Sequence, residues 1–488
     1  MNTAIDKLQP QLLWKHFAAI CHIPHPSYHE AGVRDYIVAF AREHGIEHTV
    51  DETGNVILRK GATPGYEGRK TAVMQSHMDM VPQKNGDKAF DFERDPIAAY
   101  IDGGWVTADG TTLGADNGIG MAAVLAVFES RDLPHGPIEA LFTVTEETGM
   151  VGAFGLKPGV LKGDILLNLD SETEGELYVG CAGGLDANIT FPYGTVALPA
   201  GEPYEGFRID LKGLKGGHSG IEIILGRGNA NKLLNRFLRY AAQHYGLLLA
   251  SIDGGGLRNA IPREATAVVA VPARHADAFA TEAARFGQMY RTELKGVDDG
   301  VTLAAMPVAT PGAVFEPGAQ ARLFDAVCGC PNGVMRMSAS MKGLVQTSTN
   351  LARVVSDGKA VQVQCLLRSA SNTEKEELGQ MIASVFGLAG ATVGLTGAYD
   401  GWNPNLDSPI LKTMVGSYEQ LFGHKPAITA IHAGLECGII GGAYPDLDMI
   451  SFGPTIRYPH SPDEEVEIAS VQKFWDYLCL TLKNIPQK

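Results

Sequence analysis

The 488-residue chain has no long apolar run, no close cysteine pair of the C-x-x-C kind and no surplus of positive charge. No stretch of about 18 apolar residues occurs, so no membrane-spanning helix is expected. The opening MNTAIDKLQPQLLWKHFAAI lacks a basic segment followed by an uninterrupted apolar one, so no signal peptide is expected. The seven cysteines, Cys21, Cys181, Cys328, Cys330, Cys365, Cys437 and Cys479, are odd in number and scattered. That argues against a disulfide framework and fits a reducing compartment, the cytoplasm. Cys328-Gly-Cys330 has no second cysteine pair with which to build a zinc site, and a plain loop outweighs a metal reading there. Charged residues make up only 19%, and acids outnumber bases 55 to 40, a net charge of −15. Such a chain repels nucleic acid and anionic membranes, so neither is an expected partner.

What is present is apolar mass and punctuation. Hydrophobic residues at 45% can fill a large core, and the length favours two domains over one. Fifty-eight glycines cut the chain into short elements. Leu12–Ala19, Glu30–His44 and Ile119–Phe128 read as helices. Asn55–Arg59, Lys70–Gln75, Ile138–Val144 and Asp164–Leu169 read as strands. This alternation predicts an α/β domain with a mostly parallel sheet flanked by helices. Near Gly183 the texture changes: Asp186–Phe191, Phe207–Leu211 and Ala360–Leu367 alternate as one-sided antiparallel strands do, with helix-like Asn231–Tyr245 and Ala276–Glu293 between them. From about Gly401 the α/β texture returns, with Pro409–Leu421, Ala427–Ile431, Asp448–Phe452 and Ile468–Lys483. The expected organisation is a discontinuous domain, 1–184 and 399–488, interrupted by an α+β insert, 185–398.

Five motifs carry chemistry. Ser76-His77-Met78-Asp79 ends an apolar strand, where positions i and i+2 share a face, so Asp79 can accept the second ring N–H of a metal-bound His77. Gly114-Ala115-Asp116-Asn117-Gly118 leads into a helix read as amphipathic, and by itself Asp116 fits an N-cap better than a ligand. Thr145-Glu146-Glu147-Thr148-Gly149 closes another apolar strand, and alternation along a strand would give its two carboxylates different roles. Asp170 closes the run Asp164–Leu169, and His460 sits between Pro459 and Pro462 after a late strand. Taken singly, each has an ordinary surface reading. Together, His77, Glu147 and Asp170 share strand ends of the kind that collect ligands in parallel sheets. Two imidazoles and three carboxylates suit Zn, Mn or Co, and two such ions share a carboxylate readily.

Further segments complete a pattern: CHIPHPSYHE, GCAGGLD, LKGLKGGHSG, RNAIPREA, HAGLECG and GPTIRYPHSPDE. With the motifs above, they make the chain resemble, over nearly its whole length, the two-metal metallopeptidase family of aminoacylases, carboxypeptidase G2-like enzymes and dipeptidases. The resemblance implies a catalytic domain with an inserted lid, and a homodimer. It implies two divalent metal ions, zinc foremost, with His77 and Asp170 on one, Glu147 and His460 on the other, and Asp116 between them through a cis Asp116–Asn117 peptide. It implies Asp79 as the orienter of His77, Glu146 as general base toward a bridging water, and His218 as donor to the oxyanion. Asn259, Arg368, His432 and Gly434 are the implied substrate contacts, with Glu436 beside them in the HAGLECG loop. The implied reaction is hydrolysis of dipeptides with a free N-terminus, Xaa-His dipeptides such as carnosine included. An N-acyl amino acid amidohydrolase of the same fold, a metal-free carboxylate-pair hydrolase and a silent binding protein are the rivals.

Overall fold

A computed structural model describes residues 4–488 and divides the chain into two compact units. Unit 1 comprises Met1–Cys181, Trp402–Ala430 and Leu435–Lys488; unit 2 comprises Ala182–Gly401 with Ile431–Gly434. Against the expected ranges, the first crossing falls at Cys181, where the strand Glu176–Cys181 ends and Gly183–Pro192 begins. The four residues Ile431–Gly434 join unit 2 because the Ala182 N–H donates to the carbonyls of Ile431 and Ala433.

Unit 1 is built on an eight-stranded sheet. In spatial order its strands are Glu47–Val50, Val56–Lys60, Ile138–Thr143, Ala72–His77, Ile165–Asn168, Asp448–Ser451, Glu176–Cys181 and Ala427–Ile431. The four from Ile138–Thr143 to Asp448–Ser451 are mutually parallel, and antiparallel strands pair on either side of them. Three of the parallel strands, Ala72–His77, Ile138–Thr143 and Ile165–Asn168, are buried at every residue, which is why they read as continuous apolar runs. Their registers start together, Ala72 opposite both Ile138 and Ile165, and Asp448 opposite Ile165. The carboxyl ends of four strands therefore finish at one edge of the sheet.

The helix Ala115–Glu129 is not amphipathic. It buries every residue from Asn117 to Phe128, because it lies within the core. Small residues allow that: a Cβ on Gly118 would stand 3.0 Å from the Phe17 ring, and one on Gly120 would stand 2.8 Å from the Leu169 carbonyl oxygen.

Unit 2 carries a nine-stranded sheet of antiparallel pairs, from Thr302–Val308 at one side to Thr392–Tyr399 at the other. Helices Ala230–Tyr245, Ala276–Glu293, Pro317–Gly329 and Asn372–Leu388 supply its apolar cover. Phe279 lies at the centre of that core, with ring centroids 5.1 Å from Phe207 and 5.5 Å from Phe237. Pro317–Gly329 ends in Cys328-Gly-Cys330, where Cys328 is exposed and Cys330 is buried against Cys365; all seven cysteines are free. No helix of the described residues is long and apolar enough to cross a membrane.

Because Phe279 is fully buried and edge-packed by neighbouring rings, Phe279→Ala should lower the stability of unit 2 by about 3–5 kcal/mol. Urea unfolding followed by fluorescence and circular dichroism checks it.

Candidate metal centre and active site

The aligned strand ends put His77, Glu146, Glu147 and Asp170 in one place. His77 is the last residue of its strand, and Asp170 follows Ile165–Asn168 by two residues. Asp116 arrives from the start of the helix Ala115–Glu129, and His460 from the loop after Asp448–Ser451. Three overlapping groups have ligand atoms within 4.8 Å of one another: His77 with Asp116 and Asp170, His77 with Glu146 and Glu147, and Asp116 with Glu147 and His460.

The distances divide this cluster into two halves. His77 Nε2 is 3.0 Å from Asp116 Oδ1 and 3.2 Å from Asp170 Oδ1. His460 Nε2 is 3.2 Å from Asp116 Oδ2 and 3.1 Å from Glu147 Oε2. A ring nitrogen carries one hydrogen at most, yet each faces two carboxylate oxygens. Atoms bound to zinc at about 2.0–2.2 Å in a tetrahedron lie roughly 3.3 Å apart, close to these separations. Asp116 offers one oxygen to each half. Glu147 Oε1 is buried with no hydrogen-bond partner, an acceptor left for a cation. On these observations the donor set fits two divalent ions.

Electrostatics points the same way. Burial opposes a charge on His77, but Asp170, Asp116 and Asp79 outweigh it and hold the ring well above the usual histidine range. Hydrogen bonds to Asp116 and Glu147 push His460 up to about 11. Burial raises Glu146 well above the carboxylate range, aided by Asp170, Glu436 and Glu147 and opposed by His77. Acids crowded this closely, away from water, require positive charge among them.

Several details bear on the reading of the sequence. The Asp116 side chain caps no helix: both its oxygens turn to the histidines. As the resemblance implied, the Asp116–Asn117 peptide is cis; Asn117 Nδ2 donates to the Leu169 carbonyl and to Asp170. His77 Nδ1 faces Asp79 twice, its backbone carbonyl at 3.0 Å and its carboxylate Oδ1 at 3.4 Å. The Asp79 carboxylate also accepts the N–H groups of Glu146 at 2.8 Å and Glu147 at 3.2 Å, and the Ser27 hydroxyl at 2.7 Å. Glu146 and Glu147 lie in a turn beyond the strand Ile138–Thr143, so strand alternation does not separate them; the turn does.

Three carboxylates carry roles that single motifs did not reveal. Glu464 is buried and accepts four backbone N–H groups, from Leu113 and Gly114 on one oxygen and Ala115 and Asp116 on the other, at 2.8–3.2 Å. It fixes the loop that presents Asp116. Burial and the Asp116 charge nonetheless push it up to about 7. Glu436 is buried beneath the cluster, accepting from Gln75 at 2.5 Å and Thr143 at 2.7 Å, and burial raises it to about 7. Glu172, two residues past Asp170, is raised to about 9 by burial, then by Asp116 and Asp170. Its spacing from Asp170 was the signal available in the sequence.

In unit 2, His218, Arg368 and His432 converge on Gly220. A Cβ there would stand 2.4 Å from the His432 carbonyl oxygen, 2.9 Å from His218 Cε1 and 3.1 Å from Arg368 Nε. His432 Nε2 pairs with the Ser348 hydroxyl at 2.7 Å, leaving Nδ1 buried and unpartnered. Burial and the Arg368 charge push His432 down to about 3, so the ring is neutral. Arg368 Nε is also buried without a partner. Asn259 contributes its backbone carbonyl to the Ser219 N–H at 2.8 Å, and Gly434 follows Ala433 in the segment hydrogen-bonded to Ala182.

Residues 73–484 match the peptidase family M20/M25/M40. The chain belongs to this family. It is a peptide hydrolase, 48% identical over 484 residues to the cytosol non-specific dipeptidase of Escherichia coli (strain K12), a match covering 99% of each chain. The crystal structure of aminoacylhistidine dipeptidase from Vibrio alginolyticus aligns with TM-score 0.94 and 52% identity, over 99% of this chain and 98% of that one. Aminopeptidase PepT from Bacillus cereus ATCC 10987 shares the fold at TM-score 0.58 and 16% identity, over 98% and 99%.

Glu464→Gln should disturb the enzyme despite its small size. Whichever oxygen becomes an amide, its NH2 meets two N–H donors, at about 1–3 kcal/mol for each donor left without an acceptor. A lower melting temperature and reduced metal retention on dialysis are expected. A variant as stable and as metal-rich as the parent would show that Glu464 does not hold the Asp116 loop.

Proposed function

We propose that this peptidase hydrolyses dipeptides with a free N-terminus, Xaa-His dipeptides such as carnosine among them, with two divalent ions, zinc foremost, at the His77–Asp116–His460 cluster. The observation that carries this reading is the orientation of Asp116, one oxygen toward each histidine. His77 and Asp170 would hold one ion, Glu147 and His460 the other, and Asp116 both. The names of the Escherichia coli and Vibrio alginolyticus relatives support the substrate class. Bound ions supply Lewis acidity, polarising the scissile carbonyl and making the attacking water more acidic.

The chain's own groups do the rest. Glu146 takes the proton of the attacking water and delivers it to the leaving amine. Asp79 fixes its backbone by accepting its N–H, and that of Glu147 next to it in the turn. Unit 2 takes the role of the lid. His218 donates to the oxyanion of the tetrahedral intermediate. Arg368 binds the C-terminal carboxylate, with Nε unpartnered, and neutral His432 offers Nδ1 to the same substrate end. Asn259 and Gly434 line that end. The reading includes a homodimer, supported by apolar Ile221, Ile224 and Leu225 exposed on unit 2, and a cytoplasmic location, supported by the cytosolic relative.

Glu146→Ala should keep two metal ions per chain and lose turnover by a factor of about 10²–10⁴. Metal analysis and dipeptide kinetics decide it; near-normal turnover removes Glu146 as the base. Exhaustive chelation should abolish activity and Zn, Mn or Co restore it, measured on a panel of dipeptides and N-acyl amino acids. Faster cleavage of the acyl amino acids would turn the assignment to an amidohydrolase.

A further inference from the structure

Two residues beside the Glu146–Glu147 turn adopt backbone conformations that their side chains disfavour. Thr145 has φ 53° and Tyr28 has φ 68°. The left-handed region is costly for any residue with a Cβ, and most of all for a β-branched one such as threonine. One atom holds both. Glu30 Oε1 accepts the Thr145 N–H at 2.9 Å, the Thr145 hydroxyl at 2.6 Å and the Tyr28 N–H at 3.1 Å. Glu30 is 7% exposed and Thr145 is 3% exposed, so water does not compete for the two Thr145 bonds. Glu30 sits at the residue preceding the helix Ala31–Glu43, a rigid base for its side chain.

The next residue along from Thr145 is Glu146. Its N–H reaches Asp79 Oδ1 at 2.8 Å, and Asp79 Oδ2 also takes the Ser27 hydroxyl. Segment 27–30 and turn 145–147 are thus clasped by two carboxylates, Glu30 and Asp79. Relaxing Thr145 to a negative φ would swing the chain that follows it. The Glu146 N–H would leave Asp79, and the Glu146 side chain would point elsewhere.

We propose that Glu30 is a positioning residue for catalysis: by locking Thr145 in the left-handed region it sets the aim of the Glu146 carboxylate. This rests on the reading of Glu146 as general base. Glu30 touches neither substrate nor metal ligand in this role; it acts through Thr145. All three bonds fall on one oxygen, so an amide oxygen can replace it, whereas an apolar side chain cannot.

The test uses the two-metal enzyme and the variants E30L, E30Q, T145V, T145G, E30L/T145G and E146A. Turnover, KM, metal content and circular dichroism are measured for each. E30L should lose kcat by about 10²-fold with KM and metal content unchanged, the signature of a misaimed group. E30Q should recover most of that loss. E30L/T145G should be about tenfold faster than E30L, because glycine takes a positive φ without strain. A general loss of folding would not be repaired by adding a glycine. Should E30L not fold, the threonine pair decides: T145V keeps the strained φ without the hydroxyl bond, so T145G should be the faster of the two. Unchanged kcat in E30L, no gain in E30L/T145G, or equal rates for T145V and T145G overturns the proposal. Near-normal turnover in E146A overturns the general-base reading instead, so the two failures are told apart.

Discussion

The structure of unit 1 turns on one electrostatic constraint. Asp116, Asp170, Glu146 and Glu147 share a pocket with two imidazoles at the edge of a dry sheet, and like charges at such distances cannot coexist unneutralised. The crowding shows as a rise in all three neighbours, the acids holding His77 and His460 above the usual histidine range and burial holding Glu146 above the usual carboxylate range. Divalent cations remove the conflict and turn the same crowding into affinity. The carboxylates' positions then make sense as coordination vertices, and Asp116, with one oxygen toward each histidine, makes sense as the shared one.

Holding that many acids together needs a frame, and the frame is also largely carboxylate. Glu464 gathers four N–H groups of the Asp116 loop, Asp79 gathers those of Glu146 and Glu147, and Glu30 gathers Thr145 and Tyr28. Each accepts hydrogen bonds from main-chain donors, which fixes the backbone they belong to. The unusual backbone angles cluster accordingly: among the described residues, positive φ outside glycine occurs at Tyr28, Thr145, Met150, Tyr458 and His460, all in the segments that carry or adjoin the site.

Much of this was legible in the sequence. Fully buried parallel strands appear as apolar runs bounded by polar residues, so Ala72–His77, Ile138–Thr143 and Ile165–Asn168 and the residues at their ends could be located. The one-sided strand Gly183–Pro192 showed itself by alternation. Val345–Ser356 did not, because its central Thr347, Ser348, Thr349 and Asn350 are polar yet buried and hide the pattern. The amphipathic reading of Ala115–Glu129 failed because a helix inside the core has no solvent face. Glu30 and Glu464 end the segments CHIPHPSYHE and GPTIRYPHSPDE, but their roles were not legible there, because the loops they hold lie 115 and about 350 residues away in the chain. The two glutamates of the turn were found, but the left-handed Thr145 that leads into that turn is encoded by no local periodicity.

The shared role of Asp116 is the claim on which the rest depends. It is tested most directly by anomalous diffraction at the zinc edge from crystals of the zinc-loaded enzyme. Two peaks roughly 3.5–4 Å apart, flanking the Asp116 carboxylate with one beside His77 and the other beside His460, are the expected result. A single peak, or two peaks of which Asp116 touches only one, would contradict it.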